Sequence, residues 1–560
     1  MHFPSPLALD DLRTRWSTLL AEAHAAENAE GEEKWMEVIT HLDLLSARVQ
    51  GDSARASYRY SGDMTNAEAE AHDRYQREEI GPTHADGTFE LIVLLVGSRH
   101  RAALEQRLGS YFFQRLDTSV QTLDPANREA RIAVGTLGSQ YARLLATATV
   151  EVRGEKMTMQ QTAGLTGDPA RSLREEAWRA IRAWVRDNRA QMASIFDELV
   201  RLRHGMAERL GLENYTPLGY AGMSRTDYGP EQAAQFRENV RRYAVPLLAA
   251  ERRTHREELG LDTLRPWDLG YRPSLTLPRG IVPVESQLDT AAGIFQRLDP
   301  RLAGHFERMR RDALIDLPNH PGKGPGAYCT SFFDTEEVAI FCNSVGEADD
   351  VRVLLHEMGH AFQKWESASI TPLALRNPTA DLAEVHSMGM EYLSLPHIDL
   401  FFDPENSARF RRGRWLKAVG LLCYASGVDE FQHWVYDNPQ AGPDERDAAW
   451  KRILDQYDPE VDSSGLDESS ALRWYQQTHI FRTPFYYIDY AFAETGAMQL
   501  ALMDRTDHEH AMNVYRRLCR LGGTLPVFAA YADAGFRSPL DSELMRELME
   551  YAAAEIERSE

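Results

Sequence analysis

The sequence predicts a mainly α protein with one small β-sheet beside the motif HEMGH. Three observations carry that prediction. Apolar residues recur at three- and four-residue spacing through most of the 560 residues. Only one segment, PGKGPGAYCTSFFDTEEVAIFCNS, shows two apolar runs around a polar turn, which is the pattern of a hairpin. That hairpin runs straight into VRVLLHEMGHAFQKW, where the spacing returns to helical.

In chain order, residues 8–27, 33–49, 66–80 and 88–115 carry apolar positions at helical spacing among Glu, Arg and Ala. Residues 148–160 alternate like a short strand pair around Gly154. A long helix follows, with Asp168 as its cap and Pro169 in its first turn. Its Trp178, Ile181, Trp184 and Val185 form a stripe expected to face a core. Residues 262–285 are rich in Pro and Gly and are expected to form a connecting loop. From 410 to 560 the chain is again mostly helical, with no internal repeat and no low-complexity segment.

Composition excludes some functions. Hydrophobic content of 43% and charged content of 26% are ordinary for a soluble globular protein. The length suits several cores or one large multi-lobed body. A net charge of −23 without a basic stripe argues against nucleic-acid binding and is expected to serve solubility. The amino terminus, MHFPSPLALDDLRTRW, lacks the apolar core of a signal peptide, and no run approaches a membrane span. Cys329, Cys342, Cys423 and Cys519 are sparse and form no CxxC pair, so reduced thiols in a cytoplasmic protein are expected.

In a helix, residues four apart lie on nearly the same face, so His356 and His360 can aim two imidazoles at one point. Glu357 is rotated by about 100°. It can instead reach a water held at that point, which is the division of labour behind HExxH: two ligands and a general base. Asp349 and Asp350 suit the helix start. A chain with 18 histidines can produce the motif by accident, and a catalytic zinc needs a third protein ligand.

Glu384, in NPTADLAEVHSMGMEYL, is the candidate third ligand; the alternative pairs it with Asp381 at a helix start. His386 falls on the other side of that helix and is a poor ligand. Glu391, seven residues beyond Glu384 on the same face, either supports a ligand or is an exposed or core-edge carboxylate. Gly359 inside the HEMGH helix costs about 1 kcal/mol against alanine, and close approach of another backbone would account for it.

The segment THIFRTPFYYIDYAFAETGAMQL holds a second constellation. Thr483 and Pro484 read as a helix start, which sets Tyr486 and Tyr490 one turn apart with Tyr487 beside them and His479 in a turn ahead. A row of tyrosines can be core. It can also donate hydrogen bonds, with a histidine N–H, to an oxygen that gains charge during peptide hydrolysis.

HEMGHAF, AEVHSMGMEYL and HIFRTPFYYIDYAFAETG resemble, in order and approximate spacing, the thimet-oligopeptidase family, and its oligoendopeptidase F branch most. GAYCTSF, AIFCNS, RHGMAERLGLENY and SRTDYGPEQ support this, and the resemblance spans roughly residues 150–555. It implies a multi-helical ellipsoidal body with a deep central channel. Residues 1–190 would wall the channel, and residues 191–560 would form the zinc peptidase region. It further implies one zinc ion per chain on His356, His360 and Glu384, Glu357 as base, and a late segment of His479 and tyrosines stabilising the transition state; of Tyr486, Tyr487 and Tyr490, the first and last are preferred because they share a helix face. FRTPF stands where thimet-type members carry a glycine-rich run. The strand around Ile340 and Phe341 is expected to offer its edge to an extended substrate.

The expected activity is hydrolysis of internal bonds in oligopeptides, with no nucleic-acid or membrane partner. A zinc carboxypeptidase of similar helical build and an inactive peptide-binding scaffold are the rivals. Cobalt and manganese tolerate the same ligands.

Overall fold

The computed structural model describes residues 7–558, apart from the side chains of residues 467 and 468. The first six residues of the amino-terminal stretch lie outside that description. Among the described residues the protein is mainly α, with five short strands in two small sheets. Among the described residues no helix is long and apolar enough to cross a membrane.

Strands β1 (Thr149–Val152) and β2 (Glu155–Thr158) form the expected antiparallel ribbon around Gly154, whose φ of 82° is the left-handed value the turn requires. The second sheet holds β3 (Ile315–Pro318), β4 (Tyr328–Phe332) and β5 (Glu337–Ser344) in the order β3-β5-β4. The β4–β5 hairpin is as expected; β3, which pairs parallel to β5, is an addition. It corrects one expectation. The strand with Ile340 and Phe341 is central and buried, so it has no edge to offer, and the hairpin's edge strand is β4.

The chain divides into two compact units, each discontinuous in sequence. The first holds residues 1–122, 278–407 and 496–537. Its amino-terminal helices pack a core around Trp16, Trp35, Leu91, Phe112 and Phe113. The helical run expected over 88–115 is three helices, Gly81–Val96, Arg101–Leu108 and Ser110–Thr122, and Gly109 at φ 87° makes the second break. Helix Glu33–Gly62 carries the hairpin: Arg55 grips Asp334 in the β4–β5 turn at 2.8 and 2.5 Å, and the Tyr58 hydroxyl donates to the Ile340 carbonyl at 3.2 Å. That fork geometry fixes the sheet's position as well as neutralising a nearly buried guanidinium.

The second unit holds residues 123–277, 408–495 and 538–560. Its long helix, Arg171–Arg209, starts two residues later than expected, because Asp168 spends its carboxylate on the Ala170 N–H in the preceding turn. Ile181 and Val185 are buried on it, whereas Trp178 and Trp184 are only half-buried. The 262–285 connection contains two short 3₁₀ turns, one anchored by the buried Asp268 between Arg171 and Arg174.

Candidate metal centre

The HEMGH helix spans Ala348–Glu366 and begins immediately after β5. Asp350 closes its start by accepting from the N–H groups of Val345, Gly346 and Glu347 at 2.7–3.0 Å. Val351, Leu354, Leu355, Met358, Ala361 and Phe362 are buried on its inner side. The second helix, Ala380–Ser394, packs against it at Gly359. A Cβ there would stand 2.4 Å from the His386 carbonyl oxygen and 2.6 Å from the Ser387 Cα. Only glycine permits that approach, and it brings Glu384 to the two histidines.

One donor atom from each of His356, His360 and Glu384 lies within 4.8 Å of the others, the only such cluster among the described residues. Glu384 Oε2 is 3.3 Å from His356 Nε2 and 3.9 Å from His360 Nε2. The alternative in which Glu384 caps its helix is not seen: Asp381 bonds the Thr379 hydroxyl and the Leu382 N–H, and Glu384 turns away toward the histidines. Ser387 steadies it, donating to Oε2 at 3.0 Å. On the other side of His356, Glu391 Oε1 meets Nδ1 at 2.7 Å, which leaves Nε2 facing Glu384 and able to act as a donor atom to a cation. His386 is completely buried, and burial pushes its pKa down to about 4.

The electrostatics fit a bound cation. Burial alone would lower the His356 pKa, but the carboxylates of Glu384 and Glu391 hold it up at about 10. His360 is pushed down to about 3 by burial. Burial would raise Glu384, yet the two histidines keep it below the ordinary carboxylate range. Glu357 is 7% exposed, its pKa is raised to about 7 by burial, and its Oε2 is buried without a partner. A divalent ion on two imidazoles and one carboxylate would satisfy this donor set, whose chemistry is that of catalytic zinc. On β4, burial with the Glu357 charge nearby pushes the Cys329 thiol up to about 12, so that strand lies beside Glu357.

His479, Tyr486, Tyr487 and Tyr490 form their own cluster in the second unit. The His479 ring is 5.5 Å from Tyr486 and nearly parallel to it, 4.9 Å from Tyr487 and 6.0 Å from Tyr490. Tyr486 and Tyr490 pack edge to face at 5.2 Å. The route to this grouping differs from the expectation. Thr483 and Pro484 do not start a helix; His479 sits in a short helix, Thr478–Arg482, and the next helix begins at Ile488. Tyr486 and Tyr487 are therefore in the intervening turn. Phe485, at φ 68°, shapes that turn, its N–H bound to Gln432 Oε1 at 2.8 Å and its carbonyl to Arg225 at 2.5 Å. Burial and the Arg482 charge lower the His479 pKa, which favours a neutral ring.

The sequence reading passed over Ser387 and Gln477, which meets His479 Nδ1 at 2.9 Å. Neither residue belongs to a spacing pattern that would mark it.

A mainly helical fold that brings HExxH and a following glutamate together is that of a metallopeptidase. The chain belongs to peptidase family M3, whose description matches residues 165–550, with the M3 amino-terminal domain matching residues 6–123. It is 20% identical over 357 residues to oligopeptidase PepF of Bacillus subtilis strain 168, covering 63% of this chain and 52% of that one. The curated relatives it matches are spanned over only 16–52% of their length. Among solved structures it is similar to PZ peptidase A bound to an inhibitor, at 30% identity and TM-score 0.89, covering 100% of this chain and 98% of that one. It is also similar to a Bacillus anthracis str. Ames protein described as an oligoendopeptidase F, at 28% identity and TM-score 0.84, covering 100% and 97%. These likenesses support the oligoendopeptidase F branch of the family.

Proposed function

We propose that this chain is a zinc endopeptidase that hydrolyses internal bonds of short oligopeptides. The observation that carries the reading is the meeting of His356, His360 and Glu384 within 4.8 Å, beside the unpartnered carboxylate oxygen of Glu357. Those three side chains would hold one zinc ion per chain. When bound, zinc supplies Lewis acidity: it polarises a carbonyl and lowers the pKa of a water.

The rest of the chemistry belongs to the chain. Glu357 takes the proton of the attacking water and passes it to the leaving amine. Glu391 holds His356 in the tautomer with a free Nε2. His479, Tyr486 and Tyr490 supply neutral donors for the oxygen that becomes negative. Strand β4, an edge strand beside Glu357, pairs with an extended peptide backbone and so gives register without a strict side-chain preference. Residues 1–190 wall a channel and residues 191–560 carry the catalytic residues. Peptides thread in, whereas folded proteins present no free strand. The compartment proposed is the cytoplasm.

Mass spectrometry of a decapeptide digest tests the reading. Fragments cut at internal bonds are expected. Stepwise loss of single residues from the carboxyl end would mark a carboxypeptidase, and an intact peptide with zinc-loaded protein would mark a binding scaffold.

A further inference from the structure

Next to the proposed donor cluster stands a hydrogen-bonded chain that the chemistry above does not use. The Tyr424 hydroxyl donates to Gln477 Oε1 at 3.0 Å, and Gln477 Nε2 meets His479 Nδ1 at 2.9 Å. The Arg473 guanidinium carbon lies over the Tyr424 ring, 4.5 Å from its centroid.

The direction of this chain follows from what each group can do. A cation over the ring makes the phenol the better donor, so the Tyr424 proton goes to its hydrogen-bonded neighbour. That neighbour is the Gln477 oxygen. An amide with its oxygen toward Tyr424 turns its NH₂ toward His479. The NH₂ can only donate, so Nδ1 accepts, and a neutral imidazole that accepts on Nδ1 carries its proton on Nε2. The reversed amide would set its NH₂ against the Tyr424 oxygen and take away the acceptor of the hydroxyl proton. Burial of His479, which favours the uncharged ring, agrees with this arrangement.

We propose that Tyr424 and Gln477 are positioning residues that hold His479 in the Nε2–H form. The ring then presents one fixed N–H donor and no positive charge. The catalytic consequence rests on the donor role given to His479 above; the tautomer itself does not.

The full-length, zinc-loaded protein labelled with ¹⁵N-histidine tests this by NMR at neutral pH, the His479 signals being assigned by their loss in His479→Gln. A single species is expected, with Nδ1 unprotonated and Nε2 protonated. Gln477→Glu keeps the shape but offers only an acceptor. It should move the proton to Nδ1 and lower kcat by about 10²-fold, the scale of one lost transition-state donor. KM should stay within about twofold. Tyr424→Phe frees the amide and should give a mixture of tautomers, which keeps the proposal testable if Gln477→Glu does not fold. A protonated Nδ1 or a tautomer mixture in the wild type would overturn the proposal. So would a Gln477→Glu protein whose tautomer is unchanged. A wild-type kcat in His479→Gln would count against the donor role alone.

Discussion

Glu391 Oε1 lies 2.7 Å from His356 Nδ1, on the side of the ring opposite Glu384, which approaches Nε2 at 3.3 Å. The imidazole is held between two carboxylates, one fixing its tautomer and the other set to share the proposed zinc. Glu391→Ala should therefore weaken zinc binding by about 10- to 100-fold without removing a ligand. A zinc affinity equal to that of the wild type, measured by chelator competition, would show that Glu391 does no more than fill space.

Glu357→Gln removes a base and no ligand. Zinc content should stay at the wild-type level while kcat falls by about 10²-fold or more. Elemental analysis and peptide kinetics on the same preparation check both halves.

Gly359→Ala places a methyl group against backbone atoms of the Glu384 helix, which cannot swing aside as a side-chain end can. Destabilisation of about 1–3 kcal/mol is expected, with weaker zinc binding because the two helices are forced apart. Gly420, also inside a helix, has nothing within 4 Å of its Cβ position and serves as the control. Gly420→Ala should be neutral or stabilising by up to about 1 kcal/mol. Thermal unfolding separates the two.

Glu366 sets a pH dependence of stability. Burial would raise its pKa, but His305, Arg520 and Arg301 bring it down to about 2. A carboxylate whose folded pKa is depressed stabilises the fold above its unfolded pKa and loses that contribution as pH falls through the folded value. The contribution is thus complete above about pH 4.5 and fades toward pH 2. It is at most about 3 kcal/mol, and less where water screens the half-exposed arginines. Urea unfolding of wild type and Glu366→Gln should give a difference that is constant at neutral pH and shrinks below pH 4.5. A difference that grows on acidification would reverse the assignment.

The candidate metal centre was legible because its proposed ligands obey helix geometry. His356 and His360 share a face by their spacing, Glu391 follows Glu384 by seven residues, and Gly359 is costly in a helix unless another backbone touches it. All three relations are local, and the structure shows each of them. The β4–β5 hairpin was legible for the same reason. What failed depended on distant partners. IDLP is too short to announce β3, and only its pairing with β5 shows that β5 is central. Thr483-Pro484 has the chemistry of a helix start, yet Gln432 and Arg225, far away in sequence, hold Phe485 in a turn and delay the helix to Ile488. Gln477 escaped notice because a polar residue in a loop becomes a partner of His479 only once Tyr424 is beside it.

The most direct measurement is a zinc titration of the chelator-stripped protein, followed by cleavage of a decapeptide. The account predicts no cleavage without metal, a rise that saturates at one zinc per chain, and internal fragments throughout. Glu384→Ala should fail to saturate at that ratio, since a zinc ligand has been lost. Full activity in the stripped protein, or saturation of Glu384→Ala at one zinc per chain, would contradict it.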